Sequence, residues 1–420
     1  MFSSSYSGLT DQALLFRYSA LTTGLTFSAA AISALTRTPP ASVRRGLDSL
    51  VAVNLLERVS GERYQFPLFV RVFARERLNV EDDAADIEAA IDRLTAWMAN
   101  TVNAADRIFA PLRRPVPLGE ESPWTHPVEF QSYDQALAWC DAERFALLET
   151  VKQAAESGRP TATWRIALGA VTFYKLRNHR KDWLTTSQLA VNAARAEGDR
   201  YAEAWSLISL GGALVLLEQF VEAGPPYEEA LEICRAIGDR MGEGMTLGNL
   251  GELACVLGNY DEAIEFGEQA IAIWREIGER RLEAIVLIDS VAQARLDTRR
   301  FDEAVPLFQR AQEQSDGIDL HTHGLAVHGY ARALEGLGDL RASLEALTEA
   351  LNLQRRSGDR AGLADTLLSV ARVQSESGHV EASRTALREA LEILTSFDDP
   401  RALAIRDELD SDRPGGPPTS

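Results

Sequence analysis

The clearest pattern of apolar and polar positions lies in the second half of the chain, where small and large apolar residues alternate with charged ones at helical spacing. In residues 241–280, Leu247, Leu250 and Gly251 fall on one predicted helix. Gly258-Asn259-Tyr260-Asp261-Glu262-Ala263 predicts a turn and the start of a second helix. Ala263 and Ala270 are seven residues apart, which is two helical turns on one face. The small residues Gly251, Ala263 and Ala270 let paired helices approach closely, and the larger ones fill the gaps between pairs.

The same hairpin recurs. Gly198-Asp199-Arg200 returns as Gly238-Asp239-Arg240 and as Gly358-Asp359-Arg360, with Gly278-Glu279-Arg280 between them, a period of 40 residues. Blocks begin at Thr161, Tyr201, Met241, Arg281, His321 and Ala361. The turns Gln219–Ala223, Arg300–Ala304 and His379–Ala382 repeat the one described above. Each glycine of the Gly-Asp-Arg sites is expected in the left-handed conformation that ends a helix. Blocks 161–200 and 281–320 are degenerate; the latter has Val291 where Gly251 sits and predicts an irregular turn. The pattern resembles the tetratricopeptide repeat in a 40-residue variant. One such hairpin cannot bury its own apolar face, and stacking does so. The expected fold is mostly α, with a repeat solenoid of about six hairpins over residues 159–409.

The first half reads differently. Asp11–Leu21 and Ser28–Leu35 have helical spacing, Pro39-Pro40 breaks the chain, and Ser42–Leu55 predicts a third helix. Leu56–Val59 alternates as a strand, Ser60-Gly61-Glu62-Arg63 is a turn signal, and Tyr64-Gln65-Phe66 is the return strand. Phe69–Leu78 predicts a closing helix. Three helices and a hairpin predict a winged-helix domain over residues 9–82. Residues 84–110 form an amphipathic helix with Ile87, Ile91, Leu94 and Met98, 111–132 a proline-rich loop, and Ser132–Ser157 another helix. Residues 83–158 are therefore expected to be a rigid helical linker, and 410–420, rich in proline and glycine, a disordered tail.

Composition narrows the chemistry. The 420 residues carry a formal net charge of −19, which opposes non-specific binding to nucleic acid or an anionic membrane. Cys140, Cys234 and Cys255 form no CxxC pair and no metal-ligand spacing, which suits a reducing cytoplasm. Nothing reads as a secretory signal or a membrane span. No nucleophile elbow, metal-protease helix or phosphate-cradling GxxxxGK[ST] occurs. The reading is a non-enzyme with no catalytic residue, metal or cofactor. His321, His323 and His328 lie close in sequence, but their spacing does not place all three on one helical face.

Several stretches carry a second resemblance: Tyr64-Gln65-Phe66, Arg71–Glu76, Ala104-Ala105-Asp106-Arg107, Arg113-Arg114-Pro115 and Ala138–Arg144. Their succession, over residues 10–400, resembles the part of actinobacterial AfsR-like NB-ARC/STAND regulators that follows the nucleotide-binding domain. The resemblance implies a winged helix followed by sensor repeats. In that family a nucleotide switch holds the protein off until the repeats sense a partner, and a His-Asp pair after the wing touches the nucleotide. Pro67 and Leu68 stand in those places here. The expectation is a winged helix with sensor repeats and no ATP switch, as a chain of its own or as a piece of a split or longer protein.

Registering the blocks on Gly251 projects one set of first-helix residues inward as candidate contacts for a peptide or protein partner. They are Arg165, Thr172 and Lys175, then Trp205 and Ser209, Asn249 and Glu252, Asp289 and Arg295, His328 and Arg332, and finally Asp365, Arg372 and Ser375. Mixed charges with an aromatic suit a peptide held by hydrogen bonds and ion pairs. The alternative is a ligand-sensing regulator that binds DNA through Arg44 and Arg45 on the predicted third helix.

Overall fold

The computed structural model describes residues 2–10, 12–59, 62–119, 122–396 and 399–411, and the chain divides into two compact units, residues 1–233 and 234–420.

Unit one opens with α1 (Phe2–Ser7), which the periodicity does not show, and α2 (Gln12–Ser19). A short strand, β1 (Thr26–Ser28), follows. It was not expected because three residues are too few to show an alternation. Next come α3 (Ala29–Thr36), α4 (Pro40–Ala52), β2 (Glu57–Arg58), β3 (Arg63–Gln65) and α5 (Val70–Glu81). Ser28 caps α3 by accepting from the Ala31 amide at 3.3 Å. Pro40 does not precede the third helix but opens it, at a position whose amide has no helical partner to lose. That helix accordingly runs Pro40–Ala52 and not Ser42–Leu55. The expected turn at Ser60-Gly61 lies outside the described residues. The strands form one antiparallel sheet in the order β1-β3-β2, with Phe27 opposite Tyr64. Both rings are buried with Phe16, Leu35, Val43, Leu47 and Leu50.

Two long helices follow, α6 (Ala84–Phe109) and α7 (Tyr133–Glu156). They are more than a spacer. Ala90, Leu94, Trp97, Met98, Cys140 and Leu147 belong to one buried cluster that runs from Leu15 to Ala213. The proline-rich loop between them is also packed: Val116 is buried with Trp164, Ala167, Leu168 and Ala190. The first repeat block has a broken first helix, α8 (Pro160–Gly169) and α9 (Val171–Leu176), paired with α10 (Arg180–Glu197). The next is α11 (Arg200–Leu216) and α12 (Phe220–Ile237), within which the division between units falls.

Unit two continues with α13 (Arg240–Leu257), α14 (Tyr260–Ile277) and α15 (Arg280–Val286). A π-helical segment, Leu287–Ala292, links α15 to α16 (Gln293–Asp297). After α17 (Phe301–Ser315) come α18 (Leu320–Gly336), α19 (Leu340–Ser357), α20 (Arg360–Glu376) and α21 (Val380–Thr395). Gly198, Gly238, Gly278 and Gly358 all have φ between 72° and 81°, the left-handed cap their sequence predicts. Asp199, Asp239 and Asp359 each cap the following helix through a side-chain oxygen. A Cβ on Gly251 would lie 2.7 Å from the Ser290 hydroxyl and 3.2 Å from the Ala263 carbonyl, so the close approach expected of this glycine is present.

The irregularity expected in block 281–320 is in its first helix and not in its turn. Ala223 and Ala263 are 40 apart, but Ala263 and Ala304 are 41 apart. The π segment absorbs that one extra residue. A last helix, α22 (Arg401–Ser411), was not foreseen. The tail expected from Asp410 begins inside it, and residues 412–420 lie outside the described residues.

Candidate functional site

In unit two the first helices of successive hairpins lie side by side: α13 against α15 and the π segment, these against α18, and α18 against α20. Their shared face carries a polar cluster. His328 sits one turn before Arg332 on α18, and its Nε2 is 3.0 Å from the hydroxyl of Ser369 on α20. Burial drives the His328 pKa down to about 3, with Arg332 and Arg372 adding to the effect, so the ring is neutral. Arg332 donates to the Gln293 amide oxygen at 3.2 Å, and Gln293 in turn donates to Asp297 at 2.7 Å. Burial also pulls the Arg332 guanidinium down. Arg332 therefore has an amide as its hydrogen-bond acceptor, while the carboxylates of Asp297, Glu335 and Asp365 act on it through space.

Asp289 stands in the π segment. Burial raises its carboxyl to about 7, Glu252 raises it further, and His321 opposes them. The residue is half-buried. The π segment also turns the Ser290 carbonyl toward Cys255, whose thiol donates to it at 3.3 Å.

Other expected residues of this unit are present but engaged. Arg372 forms a bidentate pair with Glu335, and Asp365 pairs with Arg401 at 2.7 Å. Arg295 reaches Glu303 at 3.2 Å. Glu252 and Ser375 are exposed and Asn249 is half-buried. The three histidines have separate partners: His321 faces Asp359 at 3.2 Å, His323 faces Ser315 at 3.2 Å, and His328 faces Ser369. No group of three metal-capable side chains occurs among the described residues.

In unit one the expected set is largely used internally. Ser209 is buried and accepts from the Trp183 indole at 2.8 Å, so it is not an open contact. Thr172 lies beside the buried carboxylate of Asp106, which pairs with Arg113 at 2.9 Å. Trp205 is half-buried under the Arg114 guanidinium, 5.7 Å from its ring. The packed loop thus occupies surface that was expected to be open. A proline-rich stretch has no periodicity from which that packing could be read. Lys175 is exposed. Arg165 lies in a cleft against α6.

The two candidate DNA contacts on α4 have partners too. Arg44 pairs with Glu62 at 2.8 Å and Arg45 donates to Ser42 at 3.1 Å. At the position of the family's His-Asp pair, Leu68 is 78% exposed, beside Phe69 at 70%.

The sequence reading overlooked a second feature with the repeat's period. Glu203, Glu243 and Glu283, 40 residues apart, are each nearly buried at the start of a first helix. Arg195, Arg235 and Arg275 pair with them at 2.9, 3.0 and 3.0 Å. The spelling Arg-x-x-Gly-Asp/Glu-Arg-x-x-Glu carries the signal.

Comparison with known proteins agrees with this architecture. The tetratricopeptide repeat family matches residues 243–315 and 324–396. Regulatory protein AfsR of Streptomyces griseus is 27% identical over 225 residues, 53% of this chain and 23% of that protein, so the chain spans about a quarter of that relative's length. Aspartyl phosphate phosphatase F from Bacillus subtilis aligns over 96% of this chain and 94% of its own, with a TM-score of 0.50 and 11% identity. A Rap protein complexed with Competence and Sporulation Factor aligns over 63% of this chain and 80% of its own, with a TM-score of 0.50 and 12% identity. The fold is thus mostly α, and the C-terminal part of the chain is built of tetratricopeptide repeats.

Proposed function

We propose that the protein is a non-catalytic regulator that holds a peptide or protein segment on the first-helix face of its repeats. The observation that carries this reading is Arg332. It is a half-buried arginine whose only hydrogen-bond acceptor among the described residues is the Gln293 amide, one turn from a neutral His328. An acidic side chain would give that guanidinium a carboxylate in direct, bidentate hydrogen bonding, which none of the nearby Asp297, Glu335 and Asp365 supplies. The name of the AfsR relative and the ligand-bound Rap neighbour fit a regulatory, partner-holding role. We further read residues 9–82 as a winged helix and 83–158 as the segment linking it to repeats over 159–409. The partnered Arg44 and Arg45 give no support to DNA contact.

A peptide display library screened on the immobilised full chain tests the reading. Acidic peptides should be enriched, and Arg332→Glu or Arg372→Glu should weaken them about tenfold or more. Enrichment of nothing, or of peptides that bind both variants as well as the unaltered chain, would overturn it.

A further inference from the structure

A cleft of about 430 Å³ opens in unit one between α6, the turn leading into α8 and the C-terminal end of α10. It is independent of the face just described. Its volume falls in the range of small-molecule sites. Part of the wall is small and apolar, from Ala96 and Ala99 on α6 and Ala162 on α8.

Three of its four charged groups are already satisfied. Arg159 donates to Asp92 at 2.7 Å and also pairs with Glu88. Glu197 accepts from the Thr161 hydroxyl at 2.5 Å and from the Trp164 indole at 3.3 Å. The fourth is Arg165. Its guanidinium lies 5.2 Å from the Trp164 ring centre, and its Nε is enclosed without a hydrogen-bond partner. No carboxylate pairs with it among the described residues. The cleft thus holds a guanidinium whose charge an entering anion can meet. The first turn of α8, Pro160–Ala162, lines the same wall and adds the partial positive charge of its free amides.

We propose that this cleft binds a small organic monocarboxylate with a modest apolar tail, its carboxylate held by Arg165. The planar fork of a guanidinium matches a carboxylate in two parallel hydrogen bonds. Glu197, which lines the cleft and has no cationic partner among the described residues, opposes a second negative charge and so disfavours phosphate. The alanine-lined wall takes the tail.

Calorimetric titration of the full chain with 4-phenylbutyrate, its neutral amide and inorganic phosphate tests this. The acid should bind, and the amide about tenfold more weakly or worse. Arg165→Gln should lose the acid by a similar factor, and Arg165→Lys should keep part of it. Circular dichroism of both variants checks that they fold; should Arg165→Gln fail to fold, the acid–amide comparison on the unaltered chain still decides. Equal binding of acid and amide, equal binding by the unaltered chain and a folded Arg165→Gln, phosphate binding as tight as the acid, or no binding of the acid at millimolar concentration would each overturn the proposal.

Discussion

The Nε2 of His328 lies 3.0 Å from the hydroxyl of Ser369, so a side chain on one first helix bonds the next first helix about one repeat away. That bond is made by an imidazole with a strongly lowered pKa, and this has a consequence for stability. In the unfolded chain the ring takes up a proton near pH 6.5. In the folded chain it does not do so until about pH 3. Between those values the unfolded state binds more protons, so His328 makes the fold less stable as pH falls through that window and contributes nothing above it. His328→Gln should flatten the acid limb of stability by up to about 1.4 kcal/mol per pH unit. Thermal midpoints at pH 7, 5.5 and 4.5 check it, and parallel curves for the two proteins would refute it.

Asp289 should act with the opposite sign. Its carboxyl keeps a proton in the fold up to about pH 7, whereas an unfolded aspartate loses it near pH 4. Stability from this group is therefore complete at low pH and is lost as pH rises from about 4 to 7. Asp289→Asn should be more stable than the unaltered chain at pH 8, and the gap should close by about pH 4. The two histidine and aspartate effects overlap in range, so only the single variants separate them.

The sequence shows the repeat well and its faults less well. Gly198, Gly238, Gly278 and Gly358 cap helices as their spelling predicts, because a left-handed cap is a local demand of the backbone. Gly251 permits a close approach because small residues leave a sequence signal at helical spacing. The π segment was written in the 41-residue step from Ala263 to Ala304, but registering all blocks on one glycine conceals a one-residue step. Part of the first-helix pattern was legible: His328 and Arg332, one turn apart on α18, lie close enough for the arginine to bear on the imidazole. Ser209 and Trp205 meet Trp183 and Arg114, which come from another helix and from an aperiodic loop, so spacing along one helix carries no sign of these neighbours.

The periodic glutamates should stabilise the stacking. The Glu283 side chain is 4% exposed and lies between Arg275 at 3.0 Å and Arg310. Both arginines are part-exposed, so water screens them when the glutamate is removed. The loss for Glu283→Gln is then about 1–2 kcal/mol, below that of a fully buried pair. A lower thermal midpoint at low and at moderate salt would agree; no change would show the pair to be incidental.

Close helix contact at Gly329 gives a steric prediction. A Cβ there would lie 2.1 Å from Cε1 of Phe308, whose ring is 1% exposed. The ring is closely packed, so it cannot yield without moving α17. Gly329→Ala should destabilise unit two by about 1–3 kcal/mol, although alanine is the better helix former. Phe308→Leu in the same chain should recover part of the loss, since it removes the clashing edge. Denaturant unfolding of the two single variants and the double variant measures that coupling, and additive effects would exclude the clash.

Phe69 should be replaceable with a gain. It has φ of 67°, a left-handed conformation that a bulky side chain adopts only with strain, and its ring is 70% exposed. It precedes α5 without making a side-chain cap bond. Asparagine tolerates that conformation better and gives up little buried area here. Phe69→Asn should therefore raise stability by about 0.5–1 kcal/mol. Loss of stability would mean that the ring contributes packing despite its exposure. Phe69→Ala separates the two terms, because alanine removes the ring but keeps the backbone strain; it should leave stability near that of the unaltered chain if strain alone is at issue.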